Sequence, residues 1–154
     1  MKIIIEGDPI ADVRPRHTTV KGCTWTYDPK AKEKEEVRKK MALHVFEALN
    51  CMDREIVKEA SNLAQDRSFS LWLTFHMPIP KSFTKRKIRA IGNDLLPMIS
   101  KPDIDNLTKF YLDCANGVLF PDDRMINLLT ASKQYSTKPR TEIIVQSQQI
   151  KELL

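Results

Sequence analysis

Alternation of apolar and polar positions is sharpest in "SFSLWLTFHMP", where Phe69, Leu71, Leu73 and Phe75 recur at every second residue until Pro78. A period of two predicts a strand with one buried face. A β-branched run, "KIIIEGDP", ended by Gly7, Asp8 and Pro9, predicts a first strand at residues 2–7. The next stretch mixes prolines with Arg14, Arg16, His17, Lys21, Trp25 and Tyr27, and predicts an irregular arm or a loose hairpin. From Pro29 the period lengthens. Val37, Met41, Leu43, His44, Val45, Ala48 and Leu49 approximate the apolar stripe of a helix, with a break near Asn50–Asp53 and a continuation through "REIVKEASNL". "MPIPKSFTKRKIRAIGND" predicts a loop leading into a short helix, and "MINLLTASKQYS" and "RTEIIVQSQ" predict two closing strands joined through "TKPR". Interleaved strands and helices of this kind predict one α/β (α+β) domain over residues 1–154, with helices packed on a mixed sheet of about four strands.

Composition narrows the class. The chain has 154 residues, enough to bury a real core, with ordinary apolar (42%) and charged (29%) fractions. Lys and Arg number 25 against 20 Asp and Glu, a net charge of +5 that points modestly towards a polyanionic partner. Cys23, Cys51 and Cys114 lie far apart without metal or redox spacing, and read as reduced cytosolic thiols. The apolar run after Met1 is too short for a signal sequence, and "LWLTF" too short to span a bilayer, so a cytoplasmic protein without a membrane partner is expected. The four glycines form no phosphate-binding loop, so no nucleotide cofactor is expected.

Against that basic background, "KPDIDNLTKFYLDCANGVLFPDD" gathers five aspartates between Lys101 and Asp123. Pro102 favours an extended approach. In an extended segment, residues two apart share a side with Cα atoms roughly 7 Å apart, so Asp103 and Asp105 would face one site with Ile104 turned to the core. Asp105 is also a good helix N-cap, followed by Leu107, Phe110, Tyr111 and Cys114 at helical spacing up to Asn116–Gly117. Lys109 then lies one turn beyond Asp105, and a turn at Pro121–Asp122–Asp123 would bring Asp123 back to the pair. Carboxylates facing one another without a cation repel, and a divalent metal removes that cost. All-oxygen ligands favour Mg²⁺, with Mn²⁺ as substitute, and such a metal beside a lysine suits phosphodiester hydrolysis. Each element also has a plainer reading: a helix cap, a surface Asp105–Lys109 pair, a polar turn. Asp113 and Asp122 fit the plainer reading better.

The longer string is more specific. It resembles the core signature of the RusA-type Holliday junction resolvases, K-P-D-x-D-N-L-x-K followed by L-D-x-x-N-G and D-D. "RPRHT", Tyr27–Asp28–Pro29, "MPIPKSFTKRK" and "ASKQYSTKPRTEIIV" extend the likeness over most of the chain. The resemblance implies that Asp103, Asp105 and Asp123 are metal-binding catalytic aspartates and Lys109 the catalytic lysine, with Asp122 the other member of the acidic pair. It further implies Mg²⁺-dependent nicking of four-way DNA junctions by a homodimer during recombination and repair, in a bacterial, prophage or phage setting. Cys114–Ala115 and Phe120–Pro121 depart slightly from the family pattern.

Two cationic stretches fit such a substrate through phosphate contacts. One carries Arg14 and Arg16; the other carries Lys81, Lys85, Arg86, Lys87 and Arg89 without an acid; Lys101 adds a further charge. Lysines 30–40, interleaved with Glu33, Glu35 and Glu36, read instead as a solvated face. Trp25 and Tyr27 either stack on exposed bases or pack against the protein body, and Trp72 and Cys114 read as core. The competing functions are a branched-DNA-binding protein without catalysis and a metal-dependent nucleotide phosphohydrolase.

Overall fold

The alternating run is the central strand of the sheet. The computed structural model describes residues 1–20, 23–50, 67–93 and 96–149. In chain order these form β1 (Lys2–Glu6), β2 (Arg16–Val20), β3 (Cys23–Tyr27), α1 (Ala31–Asn50), β4 (Arg67–Pro78), α2 (Lys85–Gly92), α3 (Ile104–Ala115), a 3-10 turn (Asp123–Met125), β5 (Ile126–Ser136) and β6 (Arg140–Gln149). The helical continuation expected through "REIVKEASNL" lies outside the described residues.

Four strands make a mixed sheet in the order β1-β6-β4-β5, and β2 and β3 pair separately as an antiparallel hairpin. β6 runs antiparallel to both β1 and β4. β5 runs parallel to β4, which requires a crossover connection. Residues 79–125 provide it and carry α2, α3 and the 3-10 turn. The expected fold class therefore holds.

Phe69, Leu71, Leu73 and Phe75 point to one face, where they join Ile3, Ile5, Ile143 and Val145. Against this face pack Leu107, Phe110, Tyr111 and Cys114 of α3 and Val37 and Met41 of α1, all buried. The Phe75 and Tyr111 rings lie 5.5 Å apart. Each such large apolar side chain contributes about 1.5–3 kcal/mol on burial, so α3 is held mainly by its inner stripe.

Two core assignments need correction. Trp72 is only half-buried, because the same alternation that turns Leu71 and Leu73 inwards turns Trp72 to the opposite face, beside Ile144 and Thr130. On α1, Leu43 and Leu49 are exposed. Only Val37 and Met41 are fully covered, so the stripe actually used is narrower than the run of apolar residues. No helix among the described residues is long and apolar enough to cross a membrane.

Candidate active site

Helix α3 begins two residues earlier than its sequence implies. The Leu107 amide donates to the Asp103 carbonyl at 3.1 Å, the first helical bond, which makes Asp103 the N-cap and places Asp105 in the first turn. Asp103 and Asp105 therefore do not share one side of an extended strand. Ile104 is 37% exposed, not turned to the core. Both aspartates stand at the positive end of the helix dipole, where negative charge is favoured.

Asp105 and Asp123 line one cleft. A cleft of about 460 Å³ between α3 and β5 is lined by Asp105, Thr108, Lys109 and Asp113 from the helix, Asp123 from the 3-10 turn, and Leu129 and Ala131 from β5. Asp122 shapes the turn that presents Asp123: its carboxylate accepts from the Arg124 amide at 3.0 Å and caps the 3-10 segment. Asp103, Asp105 and Asp123 make no ion pair among the described residues, and Asp105 and Asp123 are exposed. Among those residues no three His, Cys, Asp or Glu side chains are gathered closely enough to hold a metal together. Mg²⁺ asks for less, since it commonly uses one or two carboxylates and completes its shell with water and substrate phosphate. Two hard-oxygen donors across a cleft match that demand.

Lys109 owes its position to a residue the sequence reading missed. Its Nζ lies 3.0 Å from Oδ2 of Asp12, whose side chain is 5% exposed. The other oxygen of Asp12 faces Lys34 Nζ at 3.0 Å, off the hydrogen-bond axis. Lys34 also pairs with Asp28 at 2.8 Å and Asp113 at 2.9 Å, and is itself only 18% exposed. The lysine expected on a solvated face is thus a half-buried hub between the N-terminal arm, α1 and α3. Burial works against the charge of Lys34, yet Asp28, Asp113 and Asp12 outweigh it and hold its pKa above the ordinary lysine value. Burial likewise pushes the Asp12 carboxyl up, but Lys34 and Lys109 prevail and its pKa is lowered. Two backbone bonds fix the arm to the same region: Asp12 N–H donates to the Asn106 carbonyl at 2.9 Å, and Ile10 N–H to the Tyr111 hydroxyl at 3.4 Å.

Lys133 is the second omission. Its ammonium donates to the carbonyls of Ser100 and Pro102, both at 2.8 Å, and so holds the segment that delivers Asp103. Two residues further along β5, the Tyr135 hydroxyl bonds Ser100 at 3.0 Å and its ring meets Phe83 edge-on at 5.3 Å. Phe83 lies under Lys87 of α2, 4.9 Å from its ring centre. One side of β5 therefore connects the acidic cleft to the basic segment. Lys81, Lys85, Arg86, Lys87 and Arg89 are all exposed, and so are Arg14, Arg16 and Lys101. Lys85, Arg86 and Lys87 occupy the first turn of α2 without an acid, where the helix dipole disfavours cations. An external anion relieves that arrangement.

Residues 6–146 match the family of endodeoxyribonuclease RusA. The chain belongs to the RusA endodeoxyribonuclease family. A curated relative, the "Uncharacterized protein YqaN" of Bacillus subtilis (strain 168), is 27% identical over 147 residues and spans 94% of both chains. Membership in the RusA family makes this protein a nuclease of DNA recombination with branched DNA as its partner. The family match takes in the arm, the hub and the cleft alike.

Proposed function

We propose that the protein is a Mg²⁺-dependent endonuclease that resolves four-way DNA junctions by paired nicks, acting as a homodimer. The observation that carries this reading is the meeting of Asp105, Lys109 and Asp123 in one cleft, on a strand tied to an exposed, acid-free basic helix. Asp105 and Asp123 would hold the metal, while Asp103, the helix cap, does not line the cleft. When bound, Mg²⁺ supplies an activated water and neutralises charge on the phosphate. Lys109, aimed along the cleft wall by Asp12, meets the negative charge that grows on the phosphate during attack. Leu129 and Ala131 form the apolar wall of the cleft opposite the helix. The basic segments offset repulsion between DNA and the aspartates, so binding should weaken steeply with salt. Two symmetric cuts need two sites, which is the reason for expecting a dimer.

The deciding experiment compares cleavage of a labelled synthetic four-way junction with that of a linear duplex of the same sequence, in Mg²⁺ and in EDTA. Mg²⁺-dependent, symmetric nicks confined to the junction are expected, and Asp105→Asn should abolish them while keeping junction binding. Wild-type cutting by Asp105→Asn would remove the metal assignment. Tight binding with no cutting in Mg²⁺ or Mn²⁺ would leave a junction-binding protein without catalysis. The basic surfaces do not favour a hydrolase of small nucleotides.

A further inference from the structure

The β2–β3 hairpin has no part in the cleft, yet its surface is unusual. From Val13 to Tyr27 the chain contains no acid. The register pairs Arg16 with Tyr27 and Thr18 with Trp25, which places Arg16, Trp25 and Tyr27 on one face. The opposite face carries polar pairs: His17 with Thr26 at 2.8 Å, and Thr19 with Thr24 at 3.3 Å. Trp25 is 67% exposed and Tyr27 48% exposed, so neither packs into the protein body. Both ends of the hairpin are clamped, because the flanking residues Asp12 and Asp28 bind the same lysine, Lys34. An exposed aromatic face flanked by cations and anchored at both ends matches the chemistry of a flat, anionic partner.

We propose that this hairpin is a stacking platform for unpaired or unstacked bases at the branch point of the DNA, with Trp25 and Tyr27 against base faces and Arg14 and Arg16 on the adjoining phosphates. The proposal rests on the junction reading above and adds how a branch is told from a continuous duplex. In a duplex the base faces are already stacked, and only ends, single strands and branch points offer them. Lys34 then links recognition to chemistry, since the residue that roots the platform also touches Asp12, the neighbour of Lys109.

The test uses Trp72→Phe in the full chain, which leaves Trp25 as the sole tryptophan. With EDTA present to prevent cutting, its fluorescence is followed against an immobile four-way junction, the single strands and a fully paired duplex, while anisotropy of labelled DNA reports binding. Quenching by junction and single strand but not by bound duplex is expected. Trp25→Ala should weaken junction binding roughly 5- to 160-fold, the range for one lost base–aromatic stack, and Trp25→Phe should restore most of it. Equal quenching by duplex would overturn the proposal in favour of a plain phosphate track. Unchanged fluorescence on a bound, cleavable junction would overturn it while leaving the resolvase reading intact. Failure to bind any of the three DNAs would overturn both.

Discussion

Replacing Lys34 by methionine keeps the apolar stem of the side chain and removes the charge that joins Asp12, Asp28 and Asp113. Asp28 and Asp113 are 33% and 43% exposed and can return to water. Those two pairs together are worth about 1 kcal/mol. Asp12 has no such escape at 5% exposure. Stranding a buried charge wholly costs about 3–5 kcal/mol; because Lys109 still faces its second oxygen, about 2 kcal/mol is the better figure. The sum is about 3 kcal/mol, a fall in Tm of about 6–12 °C for a domain of this size. The pH dependence separates charge from packing. Lys34 and Lys109 beside Asp12, and Lys34 and the Lys30 amide beside Asp28, hold both carboxyls below the ordinary aspartate range. Carboxyls lowered in the folded state contribute stability that is complete above the unfolded pKa and lost as pH falls through the lower folded value. The gap between wild type and Lys34→Met should therefore be full at pH 7 and close progressively below about pH 4. Calorimetry of both proteins between pH 7 and 2.5 measures it. A gap that is under about 1 °C at pH 7, or that stays constant on acidification, would refute the hub.

Two further predictions concern the walls of the site. Lys133→Met removes both bonds that hold Ser100 and Pro102, and should lower single-turnover junction cleavage about tenfold or more with junction affinity nearly unchanged, since small misplacements of reacting groups are costly. An unchanged cleavage rate would show that Asp103 needs no such support. Burial pushes the Cys114 thiol up to about 12, whereas Cys23 is exposed, so iodoacetamide at pH 8 should modify Cys23 and spare Cys114 until denaturant is added. Peptide mass mapping reads this directly, and equal labelling of the two would contradict the packing of α3.

What could be read from the chain followed its local periodicities. The alternation of Phe69 to Phe75 marks β4, and the spacing of Leu107, Phe110, Tyr111 and Cys114 marks α3, because burial on one face is written into neighbouring residues. The start of α3 was displaced because Asp103 and Asp105 are both competent caps, and only the bond from Leu107 to Asp103 decides between them. Trp72 was misplaced by reading a run of apolar residues as one stripe, although alternation already sends it outwards. Asp12, Lys34 and Lys133 escaped notice for a different reason. Their partners lie far along the chain: Lys109 is 97 residues from Asp12, and Pro102 is 31 from Lys133. In a lysine-rich helix nothing local distinguishes Lys34 from its solvated neighbours, and Glu33 and Glu35 beside it suggest ordinary surface pairs. Only the fold brings three aspartates to that one ammonium.

The parallel pairing of β5 with β4 ties the cleft to the margin of the sheet. β5 hydrogen-bonds to β4 alone, while β4, β6 and β1 hold one another in antiparallel ladders. Fraying of this one strand would carry away Leu129 and Ala131, and the Lys133 tether with them, while leaving the other three strands joined. The site can thus be dismantled by a partial opening well short of global unfolding. Catalytic competence would report on how firmly the last strand is zipped, and would disappear on warming before the fold itself does.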